Sequence, residues 1–341
     1  MRALRLNAER QLSLDDVPAP DAPGPGEVQV AIRAVALNHI DVWGWRGMAF
    51  ARRELPIIAG AEASGEIVAV GEGAAPHRVG DTVALYGAAT CGTCAACREG
   101  SDNLCDNVAG VFGFHLDGFC CDLRNIDARL AVRAPAGMDF LAAALTPITF
   151  GTAEHMLFDN ARLSAGQWVL VHAGGSGVGS AAIQLAKHAG ATVITTVGSA
   201  EKAEKAAKLG ADHVINYREE RFETVVRRIT GRRGVDVVFE HVGADTFPGS
   251  ILSLRRGGHL VTCGATSGIK GELNLFQLFQ QQLRLIGSFG CRIANMRSCL
   301  DKLARGAVSP VIDTELALSD FARGVSRLEA RDVFGKIVVR M

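Results

Sequence analysis

The chain has 341 residues, 48% of them hydrophobic and 21% charged, the balance of an ordinary globular protein long enough for two domains. Lys and Arg together number 36, as do Asp and Glu, so the net charge is zero, which argues against a broad nucleic-acid or acidic-membrane footprint. The opening run MRALRLNAER has no signal-peptide character, and no apolar run approaches the roughly 20 residues that span a bilayer, so a cytoplasmic protein without membrane contact is expected.

The first third reads as β-rich. Short apolar runs (VQVAIRAVAL, GEIVAVG, DTVAL) alternate with Gly and Pro clusters such as PAPDAPGPGE, the texture of a small barrel or sandwich rather than a helical bundle. Four of the nine cysteines then crowd into CGTCAACREGSDNLC: Cys91, Cys94, Cys97 and Cys105. Two-residue gaps turn successive sulfurs toward one point, and a fourth thiolate after a short loop completes a tetrahedron. That is the closed geometry of structural zinc, with an iron–sulfur cluster as the competing reading. Such a lobe, about 91–105, supplies stability rather than chemistry. Cys120, Cys121, Cys263, Cys291 and Cys299 follow no ligand spacing and read as buried or incidental thiols, and an odd count with four on a metal suits a reducing compartment.

From about Ala142 the chain becomes alanine-rich and helical, then alternates strand and helix. WVLVH is a compact strand, AGGSGVG a glycine turn, and SAAIQLAKHAG a helix. ATVITTVG, HVINY, VDVVFE and GGHLVTCG supply further strands, with EKAEKAAKLGA and EERFETVVRRITG as helices between them. Repeated units of this kind imply a parallel sheet covered on both faces. The helix NMRSCLDKLARG and the strand KIVVRM close the chain.

A glycine turn between strand and helix offers backbone N–H groups and a helix N-terminus to a pyrophosphate. With Gly174 first and Gly179 last, Ser176 stands at the middle glycine position of G-x-G-x-x-G, but the placement inside consecutive strand–helix units supports a dinucleotide site. After the second strand, Thr195-Thr196-Val197-Gly198-Ser199 lacks the carboxylate that an NAD site carries there. Lys202 lies one helical turn on, and Tyr217-Arg218 follows the third strand. A small hydroxyl beside a cation suits a 2′-phosphate, which favours NADPH over NADH; the alternative is that Lys202 only solvates a polar helix face.

These elements in this order resemble the medium-chain dehydrogenase/reductase superfamily over essentially the whole chain, through ALNHIDVWGWRG, GAEASGEIVAVGEGA, the four-cysteine lobe, VLVHAGGSGVGSAAIQLAK, ADHVINY and FGKIVV. The resemblance implies an α/β protein: a GroES-like, β-rich catalytic domain over 1–145 and 289–341, and a Rossmann domain with a doubly wound parallel sheet over 146–288, substrate lying in the cleft between. It further implies a homodimer or homotetramer, with the edge strand near LRLIGS extending the sheet across a two-fold axis.

Zinc alcohol dehydrogenases of this superfamily hold a catalytic zinc through a Cys, the His of a Gly-His-Glu run and a third Cys or acidic residue. Here those places hold Asn38, Ala61 (in Gly60-Ala61-Glu62) and the ligand-free stretch 142–146. Alanine has no donor atom, and an amide oxygen is a poor zinc ligand beside thiolate or imidazole. His39 and His155 are isolated histidines, read as hydrogen-bonded or surface groups. Without a Lewis acid to steady an alkoxide, hydride goes more readily to an acceptor that spreads charge itself: a quinone or an α,β-unsaturated carbonyl or thioester. ALNHID resembles the quinone oxidoreductase and enoyl reductase branch, and the retained zinc lobe resembles its relatives that reduce acryloyl-CoA-type alkenes. The expected activity is therefore NADPH-dependent reduction of a small electron-poor substrate. A zinc alcohol dehydrogenase with a rearranged site and a non-catalytic NADPH-binding protein are the alternatives.

By this resemblance, Asn38 donates a hydrogen bond to the developing enolate or else fixes the turn before Asp41, and Asp41 orients structure or cofactor. Trp43 and Trp45 wall the substrate region or pack in the core, and Tyr86 and His115 contact substrate and are candidate proton donors beside bulk water. Gly177, Val178 and Gly179 meet the pyrophosphate, and Ser199, Lys202 and Tyr217 meet the adenosine ribose phosphate. Val242, Gly264, Ala265, Ser288 and Phe289 lie along the nicotinamide, Arg331 contacts cofactor, and Lys336 reaches toward the phosphates.

Overall fold

The structure, a computed structural model, describes residues 1–48 and 53–341. The chain forms two compact units, Met1–Gly151 with Cys291–Met341, and Thr152–Gly290; the sequence reading sets its divisions at 145/146 and 288/289.

In the first unit, β1 (Arg2–Ala8) pairs antiparallel with β2 (Gln11–Asp16) and with the short β4 (Ile57–Ile58). The larger sheet is built around β3 (Glu27–Ala36), flanked by β5 (Glu62–Val70), then β6 (Thr82–Leu85) and β8 (Ala131–Arg133), with β7 (Leu123–Asp127) also on β3. The C-terminal segment returns to it through β15 (Ile312–Ala317) and β16 (Lys336–Arg340), β16 lying antiparallel against β3. Val30, Ile32, Val35, Ile67, Val83, Leu85, Ile337 and Val339 are buried in one core that fixes this pairing.

Register places the site. Ala36 stands opposite both Glu62 of β5 and Val338 of β16. The chain just past β3 therefore runs beside the first residue of each neighbouring strand, Glu62 and Lys336. There it enters the helix α1 (His39–Trp45), for which Asn38 is the N-cap in extended conformation.

The second unit is a six-stranded, all-parallel sheet of β9 (Trp168–Val171), β10 (Thr192–Val197), β11 (His213–Asn216), β12 (Val235–Glu240), β13 (Leu254–Thr262) and β14 (Arg284–Gly287). Their order β11-β10-β9-β12-β13-β14 is the doubly wound arrangement, which reverses direction between β9 and β12. All six residues of β12 are buried, as a strand covered on both faces must be. β14 is an edge strand. Among the described residues no helix is long and apolar enough to cross a membrane.

Candidate active site

The converging strand ends bring three polar side chains together in the first unit. Glu62 is fully buried, and Lys336 is 4% exposed. The Lys336 ammonium donates to Leu37 O at 2.5 Å, Asn38 Oδ1 at 2.7 Å and Glu62 Oε2 at 3.0 Å, which uses all three of its hydrogens. Glu62 also accepts from Asn38 Nδ2 at 3.0 Å, Ile148 N at 2.8 Å, Thr149 N at 2.6 Å and Thr149 Oγ1 at 2.9 Å. Those two amides are free because Thr146–Phe150 is a wide helical turn containing Pro147, whose amides lack partners one turn back. A buried ion pair is tolerated only with this density of hydrogen bonds.

The same bonds settle what Asn38 has to offer. Its amide donates to Ala36 O and to Glu62, both at 3.0 Å, and its oxygen accepts from Lys336. Both N–H groups are spent inside the protein, so the expected hydrogen bond from Asn38 to an enolate has no free donor. Asn38 acts here on the turn instead. Sequence reasoning sent Lys336 toward phosphates; the structure places it in the interior beside Asn38.

Asp41 is buried and accepts the Asn38 backbone N–H at Oδ2, 2.7 Å, closing the first turn of α1. Its other oxygen, Oδ1, has no hydrogen-bond partner. Ala61, fully buried beside Gly60, contributes no polar side chain to it. Burial pushes the Asp41 carboxyl up to about 7, against the opposing pull of the Asn38 N–H and the Lys336 charge. The Gly60 amide also favours the charged form, although it does not reach hydrogen-bond geometry. Folded Asp41 thus keeps a proton that an unfolded aspartate gives up near 3.9. The stability this confers is complete below about pH 4 and is lost as pH rises through about 7. Asp41→Asn, which retains an acceptor for the Asn38 amide, should flatten that part of the stability profile, a change of about 4 kcal/mol across the window. Denaturant melts of both proteins between pH 4 and 8 check this, and parallel profiles would show that Asp41 does not titrate there.

The other expected substrate residues separate. The Tyr86 hydroxyl is buried and donates to Cys291 O at 2.5 Å. Burial, with Cys291 next, holds its pKa far above the usual phenol value, so Tyr86 is a packing residue and no proton donor. Trp45 lies against the core with the Arg10 guanidinium 4.5 Å over its ring, which answers core packing for Trp45. Trp43 is half-buried on α1. His115 accepts the Val111 N–H at Nδ1, 3.1 Å, and stacks edge-on against Phe114. Burial first, then Arg53, lowers its pKa. The neutral ring carries its hydrogen on Nε2 and presents a donor. His155 is 7% exposed and bonded to Asp159 at 2.7 Å, a satisfied interior histidine.

The four-cysteine lobe has the geometry of a metal cage. All four Sγ atoms lie within 4.8 Å of one another, and Cys94 and Cys105 are 4.0 Å apart, close to the ~3.8 Å edge of a tetrahedron with 2.3 Å zinc–sulfur bonds. Backbone amides of Thr93 and Cys94 point at Cys91 Sγ, 3.4 and 3.3 Å, and the Cys91 amide at Cys105 Sγ, 3.3 Å. Those N–H bonds bring the Cys91 thiol down to about 5, Thr93 contributing most. Cys97 is instead pushed up to about 12 by burial, with neighbouring sulfurs adding to it. Four sulfurs converging at this spacing would be thiolates together only around a cation, and this sulfur set fits zinc. Among the described residues this is the one cluster of three or more His, Cys, Asp or Glu with ligating geometry.

In the second unit the glycine turn follows β9, at the point where strand order reverses. Ser176 caps the helix Gly177–His188, its Oγ accepting the Gly179 N–H at 2.9 Å. A Cβ on Gly179 would stand 2.3 Å from Ala173 O, and one on Gly174 2.3 Å from Thr195 Oγ1. Helix and sheet approach too closely for any side chain at either place. Gly177, Val178 and Gly179 are the helix's first residues; the Gly179 amide is taken by Ser176 Oγ, which leaves the expected pyrophosphate contact to the amides of Gly177 and Val178, unpaired within the helix.

At the ends of β10 and β11, Ser199 caps the next helix by accepting the Lys202 N–H at 3.3 Å. The Tyr217 ring, 47% exposed, overlies Gly198, where a Cβ would meet its hydroxyl at 2.6 Å. Ser199, Lys202 and Tyr217 therefore share one corner. Val242, Gly264 and Ala265 also converge: Ser267 N bonds Val242 O at 2.7 Å, and Gly264 packs on His241 O. Ser288 bonds Asn160 at 3.0 Å, and Phe289 is 68% exposed. Arg331 belongs to the other unit, at a left-handed position (φ 57°) after the helix Phe321–Glu329.

Glu240 is the residue that sequence reasoning missed here. Fully buried at the end of β12, it accepts from the amides of Val242 and Gly243 at 2.7 and 3.2 Å and from Thr246 and Ser250. Burial opposes its charge, but His172 and these hydrogen bonds outweigh burial and hold the carboxyl below its ordinary value. It ties down the loop that carries Val242. A carboxylate ending a buried strand, three residues before Gly243, was the available signal.

Two family models match the chain: an alcohol dehydrogenase GroES-like domain over residues 24–136 and a zinc-binding dehydrogenase domain over residues 177–305. Acryloyl-coenzyme A reductase of Metallosphaera sedula is 30% identical over 321 residues, 93% of each chain. A quinone oxidoreductase of Pseudomonas aeruginosa is 31% identical, covering 94% of this chain and 93% of that one. Among solved structures, an NAD-dependent alcohol dehydrogenase superposes with TM-score 0.95 at 39% identity over 100% of both chains. Crotonyl-CoA carboxylase/reductase AntE in complex with NADP gives 0.90 at 26%, covering 100% of this chain and 94% of that one.

Proposed function

Because the chain belongs to the medium-chain dehydrogenase/reductase superfamily, we propose that it is an NADPH-dependent reductase of electron-poor double bonds, either α,β-unsaturated carbonyls and thioesters or quinones. The observation that carries this reading is the interior of the first unit. A lysine ammonium and a glutamate hold Asn38 where relatives with a catalytic zinc keep a thiolate, and the histidine position is Ala61. These side chains have no set of donors for a divalent ion. The relatives named for acryloyl-CoA and quinone reduction and the NADP-bound neighbour support the same class.

NADPH supplies the hydride. The helix Gly177–His188 presents the Gly177 and Val178 amides to the pyrophosphate, and Ser199, Lys202 and Tyr217 form the corner that takes the 2′-phosphate. Glu240 fixes the Val242 loop along the nicotinamide side. Lys336 and Glu62 hold the Asn38 turn and α1 rigid. The acceptor delocalises the incoming charge, and with Tyr86 bonded to Cys291 O the resulting enolate takes its proton from solvent. One structural zinc in the four-cysteine lobe, and a homodimer or homotetramer formed along the β14 edge, complete the proposal; a solution mass of one 36.0 kDa chain would remove the oligomer.

Oxidation of NADPH and of NADH, followed in parallel with enones, enoyl-CoA thioesters and quinones, tests this reading together with the metal content. The expected result is turnover preferring NADPH with one zinc per chain. Two zinc ions with alcohol oxidation would establish the alcohol dehydrogenase reading instead, and silence across the panel a non-catalytic NADPH-binding protein.

A further inference from the structure

Among the described residues, nothing neutralises the Arg53 cation. Its Nη2 donates to the Gly44 carbonyl, and its Nη1 is buried with no hydrogen-bond partner. No carboxylate pairs with it among the described residues, and the intervening Ala49-Phe50-Ala51-Arg52 contains no acid. The guanidinium carbon stands 5.3 Å over the Phe114 ring. A Cβ on Gly44 would stand 3.0 Å from Nη1 and 3.4 Å from the ring, so a side chain at 44 would crowd the guanidinium. Burial, with no compensating anion, lowers the Arg53 pKa. An arginine desolvated in this way costs free energy that a paired surface arginine does not.

Its location is specific. Gly44 lies six residues along from Asn38 on α1, about 9 Å by helical rise. His115, neighbour to Phe114, is near enough for the Arg53 charge to lower its pKa, and it carries its hydrogen on Nε2. A flat bidentate fork with a second neutral donor beside it is the chemistry of carboxylate recognition.

We propose that Arg53, seated on Gly44 and Phe114 with His115 beside it, recognises a carboxylate carried by the substrate. The preferred acceptors are then short unsaturated oxo-acids whose charged end reaches from the Asn38 turn to Arg53. This rests on the reductase reading and narrows its substrate class.

The test uses trans-4-oxopent-2-enoate and its methyl ester, which differ in charge; because the ester's alkene is the more electrophilic, each substrate is compared with itself across the variants. Arg53→Met should lower kcat/KM for the acid about 10- to 100-fold, the range for a lost hydrogen bond to a charged group, and leave the ester within threefold. Arg53→Lys, which keeps charge but not the fork, should recover part of the loss. Equal loss on acid and ester, or no loss on either, overturns the proposal.

A second measurement does not need turnover. Calorimetric titration of the NADPH-loaded protein with levulinate, the saturated acid, should show binding weakened at least tenfold by Arg53→Met, with methyl levulinate unaffected. Arg53-independent levulinate binding, or none, overturns the proposal. Levulinate binding that depends on Arg53 without reduction of either enone would leave the carboxylate site standing and reject the reductase reading.

Discussion

Replacing Lys336 with methionine is expected to cost about 3–5 kcal/mol of stability, the penalty for leaving one member of a buried ion pair uncompensated. Glu62, at zero exposure, would lose the ammonium 3.0 Å away, and Leu37 O and Asn38 Oδ1 would lose their donor. Methionine fills similar volume without a charge, so packing alone does not account for a loss of that size. The double variant Lys336→Met/Glu62→Gln removes both charges and should recover most of the cost, because the two residues share one network. Denaturant midpoints of the single and double variants measure it. A single variant within about 1 kcal/mol of wild type, a surface-pair value, would mean that the pair is not holding the Asn38 turn.

Cys97→Ser should abolish metal binding and open the 91–105 lobe. Three thiolates and a hydroxyl do not close a tetrahedral zinc site, and ligand loss removes the whole linkage term, about 4 kcal/mol for a metal present at a thousand times its dissociation constant. The expected results are one zinc per wild-type chain by atomic emission, none in the variant, and new protease cuts within 91–105. Visible absorption from iron in the wild type would assign a cluster instead, and a variant that kept its metal would show that Cys97 is not a ligand.

How legible each part was depends on sequence distance. The lobe and the glycine turn were readable because their geometry is local: ligands 3 and 8 residues apart, and a strand, turn and helix within 21 residues, Trp168–His188. The parallel sheet followed from repeated local units. Lys336 was misplaced because its partner Asn38 is 298 residues away, and only the β16–β3 register brings them together. That register likewise consumed the Asn38 amide that sequence reasoning had left free. Tyr86 looked available until the Cys291 carbonyl, 205 residues on, took its proton. Arg53 carried no motif at all: an arginine becomes informative only when its surroundings are seen to lack an anion.

The carbon that receives the hydride distinguishes an acceptor that spreads the charge itself from an alkoxide that the enzyme must stabilise. NADPH deuterated at C4, each face in turn, should be turned over with 3-penten-2-one and the product examined by NMR. Deuterium on the carbon β to an intact carbonyl is the predicted outcome. Deuterium on the former carbonyl carbon of an unsaturated alcohol would mean that the enzyme stabilises an alkoxide, and that the Asn38, Glu62 and Lys336 cluster has been assigned the wrong chemistry.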